Sequence, residues 1–335
     1  LKGGYNQTDR GEFEHYMLKE IYEQPDRLRD TLTFDALDDS LFGDQAAAIF
    51  DQVQAVQIIA CGTSYHAGLV ARHWLEAIAA VPCQVEVASE FRYRRSVALP
   101  GTLVVTISQS GEPAYTLAAI KHLPDDYALA KLAICNVDHS AIVRASDLVF
   151  LTKAGPEIGV ASTKAFVTQL ACLNLLLLTL MRVHNQTPNA RKKITDALRD
   201  LPKHIDKTLK MTDVYKSTAK LLFKRSSALF LGRGIFYPIA KEGALKLKEI
   251  SYIHAEAYPA GELKHGPLAL IDENMPVIAL APESEIAEKL ISNLEEVKAR
   301  GGTLYVCADP SVNMDVKSGK LIHMPECDFF MSPIV

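Results

Sequence analysis

The sequence predicts an α/β protein made of two copies of one unit, each a parallel sheet flanked by helices in three α/β/α layers. Short β-branched runs alternate with amphipathic helical segments, as in a parallel sheet covered on both faces. The second observation is a repeat of three apolar runs at a nearly constant distance. The matched positions are Gly62 and Gly232 (232 minus 62, or 170), Ile107 and Leu280 (173), and Cys135 and Cys307 (172). Such a constant offset indicates an internal duplication.

The predicted domains follow the chain in order. They are a helical lead-in (1–44), the first copy (45–190), a helical linker (191–214) and the second copy (215–335). The apolar segment 170–181 is too short to span a bilayer and predicts a buried helix. The second copy stops at Val335, where the corresponding loop and helix would begin, and residue 1 is Leu rather than Met. The sequence is therefore expected to be a fragment, truncated at the C-terminus.

Composition narrows the class of protein. The chain has 335 residues, 48% of them hydrophobic and 23% charged, which predicts globular domains that are soluble and have no membrane partner. A net charge of −4 provides no basic surface for nucleic acid. The six cysteines are scattered without a CxxC pair, which predicts free thiols in a reducing compartment, the cytoplasm.

Three stretches of the first copy are rich in small hydroxyl residues: CGTS (61–64), SQSGE (108–112) and GVASTKAF (159–166). SQSGE follows the apolar run TLVVTI and precedes Pro113, which suits the first position of a helix. Glycine, hydroxyl groups and a helix N-terminus together favour an anion, although ordinary turn and capping chemistry remains the alternative. None of the stretches matches G-x-G-x-x-G or G-x-x-x-x-G-K-[ST]. We therefore expect a phosphate-bearing ligand rather than a dinucleotide or a nucleoside triphosphate.

The second copy carries a different pattern, on the helix KEGALKLKEISY. Its predicted core face consists of Ile239, Gly243, Leu247 and Ile250. At 100° per residue, Glu242, Lys246 and Glu249 fall within about 60° of one another. Two carboxylates around one ammonium predict either a solvated ion-pair face or a proton-transfer site.

The segment HAEAYPAGELKHGPLALID follows this helix and predicts a long loop. His265 lies in it among glycine and proline, where a histidine is more accessible than on an apolar helix face. His254 and Glu256 lack a third ligand at metal-binding spacing, so no metal is expected.

These motifs, together with the opening GEFEHYMLKEIYEQP, resemble the isomerase part of the glucosamine-6-phosphate synthase family, the glutamine:fructose-6-phosphate aminotransferases. The resemblance covers essentially the whole chain. It implies two tandem sugar isomerase (SIS) domains of flavodoxin-like architecture, no cofactor, and fructose 6-phosphate and glucosamine 6-phosphate as ligands. It also implies a homodimer and ammonia from a glutaminase domain that this chain does not contain.

The resemblance also assigns roles to residues. Those that would bind the sugar phosphate are Cys61, Gly62, Thr63, Ser64, Ser108, Gln109, Ser110, Val160 and Ser162. Glu249 would move a proton between C1 and C2, Lys246 would assist at the neighbouring oxygen, and His265 would open the sugar ring. In the family this histidine comes from the other subunit.

The chain departs from the family at two points. Pro113 stands where family members often have threonine, which removes one hydroxyl and one N–H donor. The family's tail lysine, which forms a Schiff base with the ketose, has no counterpart here. Two alternative functions remain at this stage: a ketose–aldose isomerase or deglycase of SIS type, and a non-catalytic sugar-phosphate sensor.

Overall fold

The structure, a computed structural model, describes residues 9–33, 38–124, 126–184, 186–282, 287–316 and 319–335. The chain divides into two compact units, Leu1–Pro202 and Lys203–Val335. Parts of the predicted lead-in, residues 1–8 and 34–37, lie outside the described residues. The predicted domain limits at 44, 190 and 214 stay a prediction.

Unit 1 contains a five-stranded sheet. Its strands are β1 (Ala55–Ala60), β2 (Cys83–Val87), β3 (Thr102–Ser108), β4 (Ala130–Cys135) and β5 (Leu148–Leu151). They lie in the order β2-β1-β3-β4-β5, and every neighbouring pair is parallel. This order places a topological switch point between β1 and β3, because the chain leaves β1 towards β2 and returns on the other side.

Unit 2 contains a second sheet of the same topology. Its strands are β6 (Ser227–Gly232), β7 (His254–Pro259), β8 (Pro276–Ala281), β9 (Thr303–Ala308) and β10 (Gly319–His323). Their order is β10-β9-β8-β6-β7, which is the order of unit 1 read from the opposite edge. Ile58 pairs with Val105 in the first sheet, and Leu229 pairs with Val277 in the second. The offsets are 171 (229 minus 58) and 172 (277 minus 105), which confirms the predicted duplication.

The strands form because their side chains are apolar on both faces. All residues of β1 and β3 are buried, and both strands are rich in valine and isoleucine. Such continuous apolar runs are typical of central strands in a parallel sheet, since helices cover both of its faces. The predicted α/β class is confirmed.

The helices of unit 1 complete its outer layers. They are α1 (Tyr16–Tyr22), α2 (Gln24–Thr31), α3 (Ala46–Phe50), α4 (Gly62–Trp74), α5 (Ala88–Phe91), α6 (Ala114–Lys121), α7 (Ala141–Arg144) and α8 (Lys164–Val183), and α9 (Pro188–Leu209) contains the division between the units. Helix α6 begins at Ala114, and Pro113 before it is extended, so the predicted start at Pro113 was one residue early.

Helix α8 contains the apolar segment that was predicted to be buried. It packs against α2 and α4, and most of its side chains are buried, as expected. The helix has 20 residues, more than the predicted segment, and it is the one helix in the described ranges that is long and apolar enough to cross a membrane. Its burial within unit 1 is what a core helix shows.

Unit 2 adds helices α10 (Thr212–Leu222), α11 (Phe236–Ser251) and α12 (Ala287–Ala299). The predicted core face of α11 was partly wrong, because Ile250 is 51% exposed. Helix α11 packs on β6 and β7, where Ala244 and Leu247 contact the cluster around Ala228 and Ala255. The contact surface ends before Ile250, in the last turn of the helix.

The segment after α11, predicted as a long loop, was also partly wrong. Its first six residues form β7, which pairs along its length with β6. Two short 3₁₀ helices, Ala260–His265 and Pro267–Leu270, follow. The alternation of alanine with larger residues in HAEAYP fits an edge strand covered on one face by α11.

Candidate functional site

Two of the predicted phosphate-binding stretches follow neighbouring strands of unit 1. The last register pair of β1 and β3 is Ile59 and Thr106, and two residues beyond it stand Cys61 and Ser108. The CGTS and SQSGE stretches therefore leave the sheet side by side at the switch point. Open α/β sheets bind ligands at this position.

The β3 loop, residues 108–112, is shaped by hydrogen bonds from its own serines. The buried Ser108 accepts a hydrogen bond from the Gly111 N–H (2.9 Å), and the exposed Ser110 accepts one from the Glu112 N–H (3.3 Å). Each hydroxyl uses an oxygen lone pair here and keeps its proton to donate. The turn therefore leaves two hydroxyl protons for an anion.

Gly111 is required at the centre of this turn. Its φ of +70° lies in the left-handed region, and a Cβ built there would stand 2.2 Å from Ser140 Oγ. Glu112 then accepts a hydrogen bond from the Ala141 N–H at the start of α7 (2.7 Å). The loop is thus fixed at both ends, which favours a preformed binding surface.

The third stretch belongs to the α8 loop, residues 152–163. Glu157 accepts hydrogen bonds from the N–H groups of Thr163 (2.8 Å) and Ala165 (3.1 Å) and from the Ser162 hydroxyl (2.8 Å). A carboxylate therefore already occupies the N-terminus of α8, where a phosphate would otherwise be stabilised. The α8 loop is consequently a poorer phosphate site than the β3 loop.

The predicted substrate-binding residues differ in accessibility. Ser64 and Ser108 are buried, Gly62 and Ser110 are exposed, Val160 is 87% exposed, and Cys61, Thr63, Gln109 and Ser162 are intermediate. Both α4 and α8 begin at the carboxyl edge of the sheet and pack against each other. The structure thus brings all three stretches to one edge of unit 1, with the β1 and β3 stretches adjacent.

The charged groups of α11 form one connected cluster in unit 2. Lys246 Nζ lies 2.8 Å from Glu249 Oε2 and 3.3 Å from Glu242 Oε1. Glu242 is only 6% exposed, and the Lys246 side chain is largely covered, whereas Glu249 keeps about a third of its side chain exposed. This cluster is not a solvated ion-pair face. Glu249 is its solvent-accessible carboxylate.

His265 ends the first 3₁₀ helix after β7. It is exposed, and the next residue, Gly266, has a φ of +133°. His254 and Glu256 were the two residues of this segment weighed as metal ligands. His254 is exposed, and Glu256 forms an ion pair with Lys248 (3.0 Å). The described residues contain no group of three or more His, Cys, Asp or Glu arranged to hold a metal.

Four of the cysteines, Cys83, Cys172, Cys307 and Cys327, are unsuited to nucleophilic chemistry. Burial raises the pKa of Cys307 and of Cys327 to about 11, and it also raises the pKa of Cys83 and Cys172. These thiols are therefore protonated at neutral pH and unreactive. All six cysteines are free.

The sequence motifs did not predict two groups of contacts around the α8 loop. Glu157 caps α8, and an acidic residue a few positions before a long helix is a local signal for such a cap. Glu20 of α1 accepts hydrogen bonds from Ile158 and Gly159. The motif GEFEHYMLKEIYEQP was recognised, but nothing local connects it to residues almost 140 positions away.

Family comparison agrees with this architecture. Residues 49–179 and 221–314 match the SIS domain family. The class of the molecule is therefore a protein with two tandem SIS domains, as the two identical sheet topologies indicate.

The particular family follows from closer relatives. A solved structure, the C-terminal domain of glucosamine-fructose-6-phosphate aminotransferase from Francisella tularensis, is 45% identical, superposes with a TM-score of 0.92, and overlaps 96% of this chain and 92% of its own. The chain belongs to this family, as its isomerase part.

Curated relatives agree. Glutamine–fructose-6-phosphate aminotransferase [isomerizing] from Pseudomonas syringae pv. tomato is 54% identical over 99% of this chain, and that from Legionella pneumophila strain Paris is 52% identical over 98%. The chain spans 55% and 54% of their lengths, about half. Tagatose-6-phosphate ketose/aldose isomerase from Escherichia coli, 18% identical with a TM-score of 0.74, overlaps 96% of this chain and 89% of its own and shares the fold.

Proposed function

We propose that this chain binds fructose 6-phosphate and carries out the isomerisation half of glucosamine 6-phosphate synthesis. The observation that carries the proposal is the α11 cluster, in which an accessible carboxylate, Glu249, lies 2.8 Å from an ammonium, Lys246. Proton transfer next to a carbonyl or imine needs a base of this kind beside a cation. Relatives at 45–54% identity carry the corresponding name.

In unit 1, the hydroxyls of Ser108 and Ser110 donate hydrogen bonds to the phosphate, and Thr63, Ser64 and Gln109 surround it. The support is the geometry of the switch point, where two hydroxyl-rich stretches leave neighbouring strands. Cys61, Gly62, Val160 and Ser162 line the sugar. The Pro113 position lacks a side-chain donor, so the two serines carry more of the phosphate binding than in relatives with threonine.

In unit 2, Glu249 removes a proton from C1 of the protonated open-chain C2 imine, and an enolamine forms. The same carboxyl group returns the proton to C2, and the proton of the C1 hydroxyl passes to the amine, which leaves an aldehyde at C1 and an ammonium group on C2. Lys246 stabilises the negative charge that develops on the neighbouring oxygen. The buried Glu242 holds Lys246 in place through their 3.3 Å ion pair.

His265 opens the sugar ring by moving a proton between the ring oxygen and the anomeric hydroxyl. We also propose a cytoplasmic homodimer in which this histidine acts on the partner's substrate, and ammonia supplied by a glutaminase domain. The support is the family resemblance and the exposure of His265. A sensor needs no accessible carboxylate beside a lysine, so the α11 cluster favours an enzyme over that alternative.

The test of this function is sugar-phosphate binding by unit 1. Replacing Ser108 and Ser110 with alanine is expected to weaken glucose 6-phosphate binding at least tenfold, measured by calorimetry. Each change removes a charge-assisted hydrogen bond, worth about 1.5–3 kcal/mol when well buried.

The matched control is Ser146→Ala. Ser146 donates a hydrogen bond to the Ile142 carbonyl. It precedes β5 and so lies near the amino ends of the parallel strands, whereas the β3 loop follows a carboxyl end. The Ser146→Ala variant should bind glucose 6-phosphate with the affinity of the parent chain. An unchanged affinity in the Ser108/Ser110 double variant would remove the β3 loop from the proposal.

A further inference from the structure

The lead-in helix α1 places a buried carboxylate against the α8 loop. Glu20 is 3% exposed and accepts hydrogen bonds from the Ile158 N–H (2.6 Å) and the Gly159 N–H (3.1 Å). A buried carboxylate is costly unless its oxygens are hydrogen-bonded, and these two backbone donors meet that requirement. The lead-in is therefore part of the packed body of unit 1.

The loop approaches α1 so closely that a side chain at residue 159 is excluded. A Cβ built on Gly159 would lie 2.6 Å from Glu20 Oε2 and 3.1 Å from Met17 Cβ. The neighbours on that side are a buried carboxylate and a helix, neither of which can withdraw freely. Only glycine therefore fits at position 159 in this contact, and the backbone of the loop is held against α1 at this residue.

A second contact fixes the end of the same loop. Lys164, the first residue of α8, is 2% exposed and donates a hydrogen bond to Glu23 Oε2 (2.6 Å), while Lys19 lies 3.4 Å from the other carboxylate oxygen. Burial acts to raise the pKa of Glu23, but the hydrogen bonds and charges of Lys164 and Lys19 outweigh it and lower that pKa. The Glu23 carboxylate thus stays ionised at neutral pH.

Between these two contacts lie the residues that the proposed function places against the sugar. Val160 follows Gly159 directly and is 87% exposed, and Ser162 precedes Lys164 by two positions. Ala161 is buried and the Ser162 hydroxyl is bonded to Glu157, whereas Val160 is exposed, so the position of Val160 depends on the anchored backbone on either side. The C-terminal half of the α8 loop, residues 158–163, is therefore held on both sides by carboxylates of the lead-in.

We propose that Glu20 is a positioning residue for sugar binding: it fixes the backbone of Ile158 and Gly159 so that Val160 and Ser162 face the sugar. This inference rests on the proposed function of unit 1. The role belongs to the carboxylate, because its Oε1 accepts hydrogen bonds from both N–H groups and its Oε2 shares the Gly159 N–H at 3.2 Å. An amide at this position keeps one acceptor oxygen, and alanine keeps none.

The experiment compares Glu20→Ala, Glu20→Gln and Glu14→Ala in the whole chain. Glucose 6-phosphate binding is measured by calorimetry, and backbone amide exchange of residues 158 and 159 is measured without ligand. Glu14 lies on the same lead-in, with its side chain 84% exposed, and serves as the control. Thermal unfolding of each variant establishes that it is folded.

Glu20→Ala is expected to raise the Kd at least tenfold and to speed exchange at Ile158 and Gly159, with exchange in β1 and β3 unchanged. Glu20→Gln should recover part of the affinity, whereas Glu14→Ala should match the parent. A merely structural role would lower the unfolding temperature without changing the Kd of the folded protein.

Four results distinguish a failure of the inference from a failure of the proposed function. Parent-like affinity in a folded Glu20→Ala variant overturns the inference, as does unchanged exchange at Ile158 and Gly159. If Glu20→Ala does not fold, parent-like affinity and exchange in Glu20→Gln overturn it instead. A parent chain that binds no sugar phosphate refutes the proposed function, whereas the exchange comparison still tests the contact of Glu20 with the loop.

Discussion

Glu249→Gln is expected to lower the rate of sugar isomerisation by about 10²–10⁴-fold, with substrate binding retained. Glutamine preserves the size of the side chain but cannot accept a proton at neutral pH, and general-base catalysis contributes a factor of this size. The measurement is solvent-deuterium exchange into C1 of the substrate, together with turnover.

The position of Glu249 within the cluster explains why the effect should be kinetic. Its side chain is about a third exposed, although the oxygen that pairs with Lys246 is itself buried. Glutamine keeps the length of the side chain and an oxygen that can accept a hydrogen bond from Lys246, so the change should leave the fold and substrate binding largely intact. A large fall in rate would therefore report on the base itself.

Two matched variants complete this experiment. Glu256→Gln breaks the exposed pair with Lys248 in the same unit and should leave the exchange rate unchanged. Glu242→Gln removes the buried partner of Lys246, so we expect it to lower the free energy of unfolding as well as the rate. Exchange at the parent rate in Glu249→Gln would exclude Glu249 from the mechanism.

The sequence predicted the parts of the fold that depend on local patterns. Apolar runs gave β1, β3 and their counterparts in unit 2, and the constant offset gave the duplication. The meeting of CGTS with SQSGE was also foreseeable, because strand ends converge at the switch point of such a sheet.

The parts that could not be predicted depend on contacts distant in sequence. Glu20 and Ile158 are 138 positions apart, so helical periodicity gives no sign that α1 supports the α8 loop. The prediction that Ile250 lies on the core face was wrong for a related reason. Its helical periodicity fits that face, but the sheet beneath α11 ends before it. The burial of Glu242 likewise depends on packing between elements, which the periodicity of a single helix does not predict.

The buried pair of Lys164 and Glu23 leads to the prediction with the largest effect on stability. Glu23→Gln is expected to lower the free energy of unfolding by about 3 kcal/mol at pH 7, because it leaves a buried ammonium without its counter-ion. This is the lower end of the range for breaking a buried pair, since Glu23 keeps a quarter of its side chain exposed. Urea denaturation of the two proteins provides the measurement.

The dependence of this loss on pH identifies its cause. The pKa of Glu23 is lowered in the folded chain from its ordinary value of 4.5, so the carboxylate stabilises the fold fully above that value. The advantage of the parent over Glu23→Gln should then shrink as the pH falls below 4.5 and through the lower pKa of the folded state. Asp26→Asn, which breaks the exposed pair with Arg29, should cost only about 0–1 kcal/mol. A loss in Glu23→Gln that is as small as in Asp26→Asn, or that does not change on acidification, would show that the pair does not anchor α8 to the lead-in.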